Sequence, residues 1–274
     1  MPMIFKLQTK MNKLSPYFFF VLLAISACSY EEPVLDQEVP YFQKFIGGAF
    51  RETLNETLID ENGNIFGLAD VHEGQTNQSS LYLFQTLENG ELVWDKKLGL
   101  NAQTSGTDLI MTNDGNLLIL GHTTIGNNQD MLIFKIDRQG NVLDSVIIGS
   151  ETQQETPAKI IELNDGSGYI VGALNTDLNG IQSNFFYKLA EESFQVLWER
   201  SYLGLIDQTQ IAGIVELEGN QVLWAGSTLA GNGNTERDVT ISVIDKKGLI
   251  IENTVYGQTN DQNETITSVD RIGG

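Results

Sequence analysis

Four glycine-closed segments recur along the chain at nearly equal intervals, and this period limits the fold more than any other feature. They read Trp94-Asp95-Lys96-Lys97-Leu98-Gly99, Asp144-Ser145-Val146-Ile147-Ile148-Gly149, Glu199-Arg200-Ser201-Tyr202-Leu203-Gly204 and Asn253-Thr254-Val255-Tyr256-Gly257. Successive closing glycines stand 50, 55 and 53 residues apart, and Gly48 precedes Gly99 by 51. The 274-residue chain therefore divides into units at 49–99, 100–149, 150–204 and 205–257, with a partial unit at 258–274. A repeat of this length marks a stacked architecture, in which each unit buries its apolar faces against its neighbours.

Unit two shows the internal plan. Residues 108–112 read as a strand, and Asn113-Asp114-Gly115-Asn116 as a hairpin turn whose Asp-Gly pair supplies positive φ. Residues 117–121 form a second strand, apolar on both faces, followed by a polar loop at 123–129. Residues 131–136, a turn at 138–141, and residues 142–148 complete the unit. The other units repeat the turns with Glu61-Asn62-Gly63-Asn64, Asn164-Asp165-Gly166-Ser167, Asn89-Gly90 and Lys247-Gly248. No stretch after residue 30 carries a helical period, so the fold class is all-β. Tandem four-stranded antiparallel units of this size predict a β-propeller, and a second strand buried on both sides fits blades stacked face to face.

The repeat resembles that of bacterial propeller-repeat lipoproteins. The match lies in Asn116–Thr123, Tyr169–Ala173 and Val222–Thr228, and in the run from Asp130 to Asn141, which looks like that family's D-x-x-L-I-K-L-D-x-x-G-N pattern. The run Leu87 to Trp94 resembles quinoprotein-type repeats; its Trp recurs at Trp198, and Leu143 and Ile250 take that slot elsewhere. Residues 41–46 read as an outer strand before the first unit and 265–269 as an inner strand after the fourth. The expectation is four complete blades with partial blade strands at both ends, as an open or truncated ring within a propeller domain at 41–274.

The first thirty residues read as an address. Lys6, Lys10 and Lys13 precede the apolar run 18–25. As a helix those eight residues reach about 12 Å, against about 30 Å for a bilayer core, so the run is a signal peptide core within 1–27. Ile25-Ser26-Ala27-Cys28 resembles the lipobox of bacterial lipoproteins, which implies acylation of Cys28 and a membrane partner through that anchor. Cys28 is the only cysteine, so no disulfide competes for it. Residues 28–40 hold Pro33 and Pro40 and read as a tether, and Glu31-Glu32 resembles a surface-export signal. The expected location is the bacterial cell envelope, as an outer-membrane lipoprotein with a surface-exposed body.

Charge excludes one partner class. Of 16 Lys and Arg, three lie before residue 28, whereas all 36 Asp and Glu lie after it. A body this acidic is not a nucleic-acid binder, since phosphate contacts need basic side chains. No catalytic residue, cofactor or metal site is expected. Asp177-Leu178-Asn179-Gly180 lacks the ligand series of a calcium loop, and His122 shares its slot with Asp70, Leu174 and Ser227. The loops between second and third strands vary most and share a face with the blade crossovers. They carry the candidate binding residues His72, His122, Asp130, Asp177, Asn179, Asn232 and Asp238, with a glycan or protein as ligand. The expected function is a lipid-anchored binding or interaction module. The alternatives are a propeller-scaffold enzyme, glycan-active or quinone-dependent, and an outer-membrane assembly factor. Mass spectrometry of membrane-fraction protein is expected to find an acylated Cys28 at the mature N-terminus; lipid retained by Cys28→Ser overturns the assignment.

Overall fold

A computed structural model describes residues 43–74, 79–99, 103–202, 210–229, 237–257 and 263–270. Cys28, the signal run and the tether lie outside these residues, as do Gly204 and Asn232. The first sheet contains β1 (Arg51–Ile59), β2 (Ile65–His72), β3 (Ser79–Thr86) and β4 (Leu92–Leu98). The second contains β5 (Gln103–Met111), β6 (Leu117–Ile125), β7 (Asn128–Ile136) and β8 (Val142–Ile148). The third contains β9 (Gln153–Glu162), β10 (Tyr169–Asp177), β11 (Gln182–Leu189) and β12 (Val196–Ser201). The fourth contains β13 (Gln210–Leu217), β14 (Gln221–Leu229), β15 (Arg237–Asp245) and β16 (Ile250–Tyr256). Each sheet is antiparallel, with its strands in sequence order.

The four sheets coincide with the four repeat units, and their burial follows the expected gradient. The second strands β2, β6 and β10 are buried along nearly their whole length, whereas the fourth strands are mostly exposed. The first strands lie side by side, β1 against β5, β5 against β9 and β9 against β13. Three apolar clusters fill the spaces between successive sheets. Leu68 and Leu83 meet Ile119 and Phe134; Leu120 and Ile133 meet Val171 and Tyr187; Phe186 and Ile170 meet Trp224 and Ile244. This is the layered core of a β-propeller.

The recurring Asp-x-x-Gly turns are built by one carboxylate each. Asp60 Oδ1 accepts the amides of Asn62 and Asn64, both at 2.9 Å; Asp137 Oδ1 accepts those of Gln139 and Asn141 at 2.9 and 2.8 Å. Asp245 does the same for Lys247 and Leu249 at 2.9 and 2.8 Å. The side chain imitates a strand partner and holds the chain in its turn.

Strand register corrects three expectations. The fourth strands bulge near their start, so the slot of Trp94 and Trp198, opposite Gln85 and Lys188, belongs to Asp144 and Glu252 rather than to Leu143 and Ile250. The polar loop expected at 123–129 is a hairpin: Thr123 and Thr124 pair with Asp130 and Gln129, and only Gly126 and Asn127 turn. Polar residues continue the ladder beyond the core because backbone pairing does not require apolar side chains. The partial blade strands expected at the two ends are not strands among the described residues. Instead Ile46 packs on Ala69, Val71 and Tyr82 of the first sheet. In the segment 263–270 the Ile266 amide donates to Ser227 Oγ at 3.1 Å, and Val269 lies against Gly213 of the fourth sheet. Both segments cover sheet faces that no neighbouring blade covers among the described residues.

Two of the three tryptophans dock blades in pairs. Trp94 Nε1 donates to the Arg138 carbonyl at 2.9 Å, and Trp198 Nε1 to the Lys246 carbonyl at 2.9 Å. Their rings lie over Gly140 and Gly248. Gly140 and Gly115 share φ of 81°, but a methyl on Gly140 meets Trp94 at 3.0 Å and Lys96 at 2.9 Å, whereas Gly115 faces open space. Gly115→Ala therefore carries only the left-handed backbone penalty, about 1 kcal/mol. Gly140→Ala adds about 1–3 kcal/mol for displacing the docked ring; urea denaturation of the two variants is expected to show that difference.

Candidate functional site

Lys159, on the axial strand of the third blade, joins three blades. Its Nζ lies 2.9 Å from Asp108 Oδ1 on the second and 3.0 Å from Glu56 Oε2 on the first. The other Asp108 oxygen accepts the Ile160 amide at 2.8 Å. Register places Glu56, Asp108 and Lys159 at equivalent positions just after a bulge, where the fourth blade has Gly213. Every charge in this cluster has a partner, and the arrangement ties the first strands together.

The second and third blades enclose a cleft on the face of the second-to-third turns. It has a volume of about 550 Å³ and is lined by the β6–β7 turn, the β8–β9 crossover and the β10–β11 turn. Asn127, Asn128, Gln153 and Gln154 supply side-chain amides, and Ile125 and Leu178 flank them, 56% and 79% exposed. A neighbouring pocket of about 300 Å³ shares Gln153 and is walled by Ser150, Glu155, Phe185, Tyr187 and Glu199.

Glu155 is the unusual group here. It is 2% exposed. Its Oε1 accepts from Ser150 Oγ at a long 3.5 Å, and its buried Oε2 has no hydrogen-bond partner. Burial, reinforced by the Asp130 charge, pushes its carboxyl up to about 7. Nearby Asn175 Nδ2 donates both to the Tyr187 hydroxyl at 2.7 Å and to Gln153 Oε1 at 3.0 Å. Burial raises the Tyr187 phenol well above its usual range.

The candidate residues read from sequence fall in separate places. Asp177 shapes its turn, accepting the amides of Asn179 and Ile181 at 2.8 Å each, and the Ile181 bond leads the interactions that hold its carboxyl low. It lines the larger cleft; Asn179 is exposed in the same turn. Asp130 accepts from Asn128 at 2.5 Å and packs on Gly149, and burial raises its carboxyl. Asp238 packs on Gly257 at the equivalent place in the fourth blade. His72 ends β2, half-buried, opposite Ser79. His122 pairs with Ser105 across the ladder, and Ser105 Oγ donates to Asp70. The hydroxyl reaches the carboxylate directly and His122 Nδ1 is buried without a partner, so the three do not form a base-bridged nucleophile. Burial lowers the His122 pKa against the opposing pull of Asp70.

Glu155, Gln153 and Asn127 are site residues that the sequence does not single out, and Tyr187, at strand spacing, reads there as blade core, where the structure also places it. One signal pointed to Glu155. Register makes it the counterpart of Thr104, a buried threonine in the second blade. Both carbonyls take the same bond from the preceding blade: Ser79 Oγ to Thr104 at 2.7 Å, Gln129 Nε2 to Glu155 at 3.2 Å. A carboxyl in a threonine slot becomes visible once the repeats are aligned strand by strand.

These sheets and their stacking define the class: the chain is a β-propeller. No protein-family model matches it, and neither does any curated protein. Among solved structures it is similar to an acylaminoacyl peptidase of Pyrococcus horikoshii, at 9% identity and a TM-score of 0.47, over 76% of this chain and 32% of that one. It is similar also to a puromycin hydrolase (11%, TM-score 0.44, over 78% and 30%) and to a GH43 β-1,3-galactosidase (12%, 0.41, over 73% and 44%). The chain spans less than half the length of each.

The raised Glu155 carboxyl sets a pH dependence. The folded state holds this proton more tightly than the unfolded chain, where the carboxyl has its ordinary value of 4.5. Its contribution to stability is therefore greatest below 4.5 and is lost as pH rises through about 7. Asp130 on β7 and Glu199 on β12 add negative charge around it, and the Tyr187 phenol on β11 stays neutral throughout. Glu155→Gln is expected to melt above the parent at pH 8 and close to it at pH 4.5, by calorimetry.

Proposed function

We propose that the chain is a lipid-anchored binding module of the bacterial cell envelope, which holds an extended peptide segment of a partner protein in the cleft between its second and third blades. The observation that carries this reading is the lining of that cleft. Asn128 Nδ2 is spent on Asp130 and the Ser150 carbonyl and Gln153 Oε1 on Asn175, which leaves the Asn127 amide, Asn128 Oδ1, Gln153 Nε2 and Gln154 Oε1 to meet a peptide backbone, and Ile125 and Leu178 add apolar contact at the rim. None of the residues lining the larger cleft is aromatic, so a sugar ring finds no flat apolar face to stack on there. The lipobox-like run ending at Cys28 supports the anchor, and the acidic body suits an extracytoplasmic surface.

The test is selection from a displayed random peptide library on the purified chain. Enriched peptides are expected to lose about tenfold or more in affinity for Gln154→Trp, which fills the cleft. An Asn113→Trp variant, altered at a first-to-second-strand turn, is expected to bind as the parent does. Enrichment of peptides that bind all three alike, or capture of oligosaccharides from a glycan array in place of peptides, overturns the reading.

A further inference from the structure

We propose that the smaller pocket, floored by Glu155, seats a primary ammonium or guanidinium group, the side chain of a lysine or arginine in the peptide held by the adjoining cleft. The inference rests on the reading of that face as a peptide site and names the group that its ligand must carry.

The pocket has an unmet demand for donors. A buried carboxylate oxygen normally accepts one or more hydrogen bonds, and leaving it without any is costly. Glu155 Oε2 has none, although Glu155 lines an accessible pocket. Its other oxygen has the long contact from the Ser150 hydroxyl, and the backbone amides of Ser150 and of Glu155 itself act weakly on the carboxylate without offsetting its burial. The charges around it are all of one sign: Glu199 lines the same pocket, Asp130 acts on Glu155 from β7, and no Lys or Arg is among the lining residues. An ammonium brings three donors and a guanidinium five, so either supplies the carboxylate with donors and offsets its charge together.

The walls favour an organic cation. Phe185 and Tyr187 stand 6.1 Å apart between ring centroids at an interplanar angle of 25°, and both line the pocket. Aromatic faces attract cations and also contact the methylene stem that carries them. A hard metal ion instead needs six or more oxygens around it, and among the described residues no three His, Cys, Asp or Glu are grouped to hold one. Gln153 borders both cavities, so a chain lying in the larger one can drop a side chain into the smaller.

The probes are n-butylammonium and ethylguanidinium, with n-butanol as the neutral counterpart, titrated into the purified chain in detergent and followed by NMR. Both cations are expected to shift the amides of residues 150–155 saturably at pH 8, and butanol is not. Glu155→Gln keeps the volume and removes the charge, and is expected to weaken the cations about tenfold or more. Lowering the pH to 5 protonates Glu155 in the unmodified chain and is expected to weaken them likewise. Butanol binding as well as butylammonium, or unchanged cation affinity in Glu155→Gln, overturns the proposal. Replacing lysine by norleucine in a selected peptide separates the two readings. Affinity unchanged by norleucine refutes the cation pocket and leaves the peptide cleft standing. Cations that bind at Glu155 where no peptide is selected refute the cleft and leave the pocket as a site for small amines.

Discussion

The second strand of each blade is apolar on both sides, and the rest of the molecule is arranged around covering it. A sheet with one such strand cannot be stable alone, because at about 25 cal/mol per Å² of apolar surface either face left wet forfeits a large share of the folding energy. Stacking blade on blade covers both faces of β6 and β10. At the two flanks, where the next blade is missing among the described residues, Ile46 and the segment around Val269 lie on the apolar faces instead. The docking of Trp94 and Trp198 on the glycine turns of the following blades extends the same contact to the periphery.

Four carboxylates of this acidic chain bond from blade to blade. Asp70 accepts the Gly106 amide at 2.8 Å, and Asp108 the Ile160 amide. Glu162 accepts the Asn113 amide at 2.6 Å, and Glu216 the Asn164 amide at 2.7 Å. Asp70 and Asp108 reach forward to the backbone of the following blade, Glu162 and Glu216 back to that of the preceding one. Glu162 and Glu216 do so from equivalent positions. Charge-assisted bonds of this kind add direction to a stack that apolar contact alone would leave free to slide.

The repeat departs from its own pattern most at the junction of the second and third blades. Asp144 stands where the other pairs have a tryptophan, and Phe194, at φ 52°, fills the space by stacking on Tyr169 at 5.6 Å. Glu155 replaces a threonine at the same junction and is left with an unpaired oxygen. Local rules are broken in folded proteins chiefly where function requires it. Both clefts open at this junction.

By itself the sequence determined the all-β class, the four-blade count, the turns and the two-faced second strands, because these depend on spacing and local chemistry: a period near fifty residues, Asp-Gly pairs, and alternation or its absence. It also determined that Asp70, His122, Leu174 and Ser227 share a slot, and the register of the ladders places them so. Bulges were illegible, which is why the tryptophan slot was misplaced by one residue at Leu143 and by two at Ile250: an extra residue in one strand leaves no mark in composition. The ends of the repeat were misread as strands because a short apolar run can pair as readily as it can pack. The candidate site was legible only as a face. That Glu155 meets Asp130 and Tyr187 was decided by the tertiary structure alone, since the pocket is formed by residues from different strands of two blades, and no local pattern records which side chains the stacking of two sheets will leave facing each other without a partner.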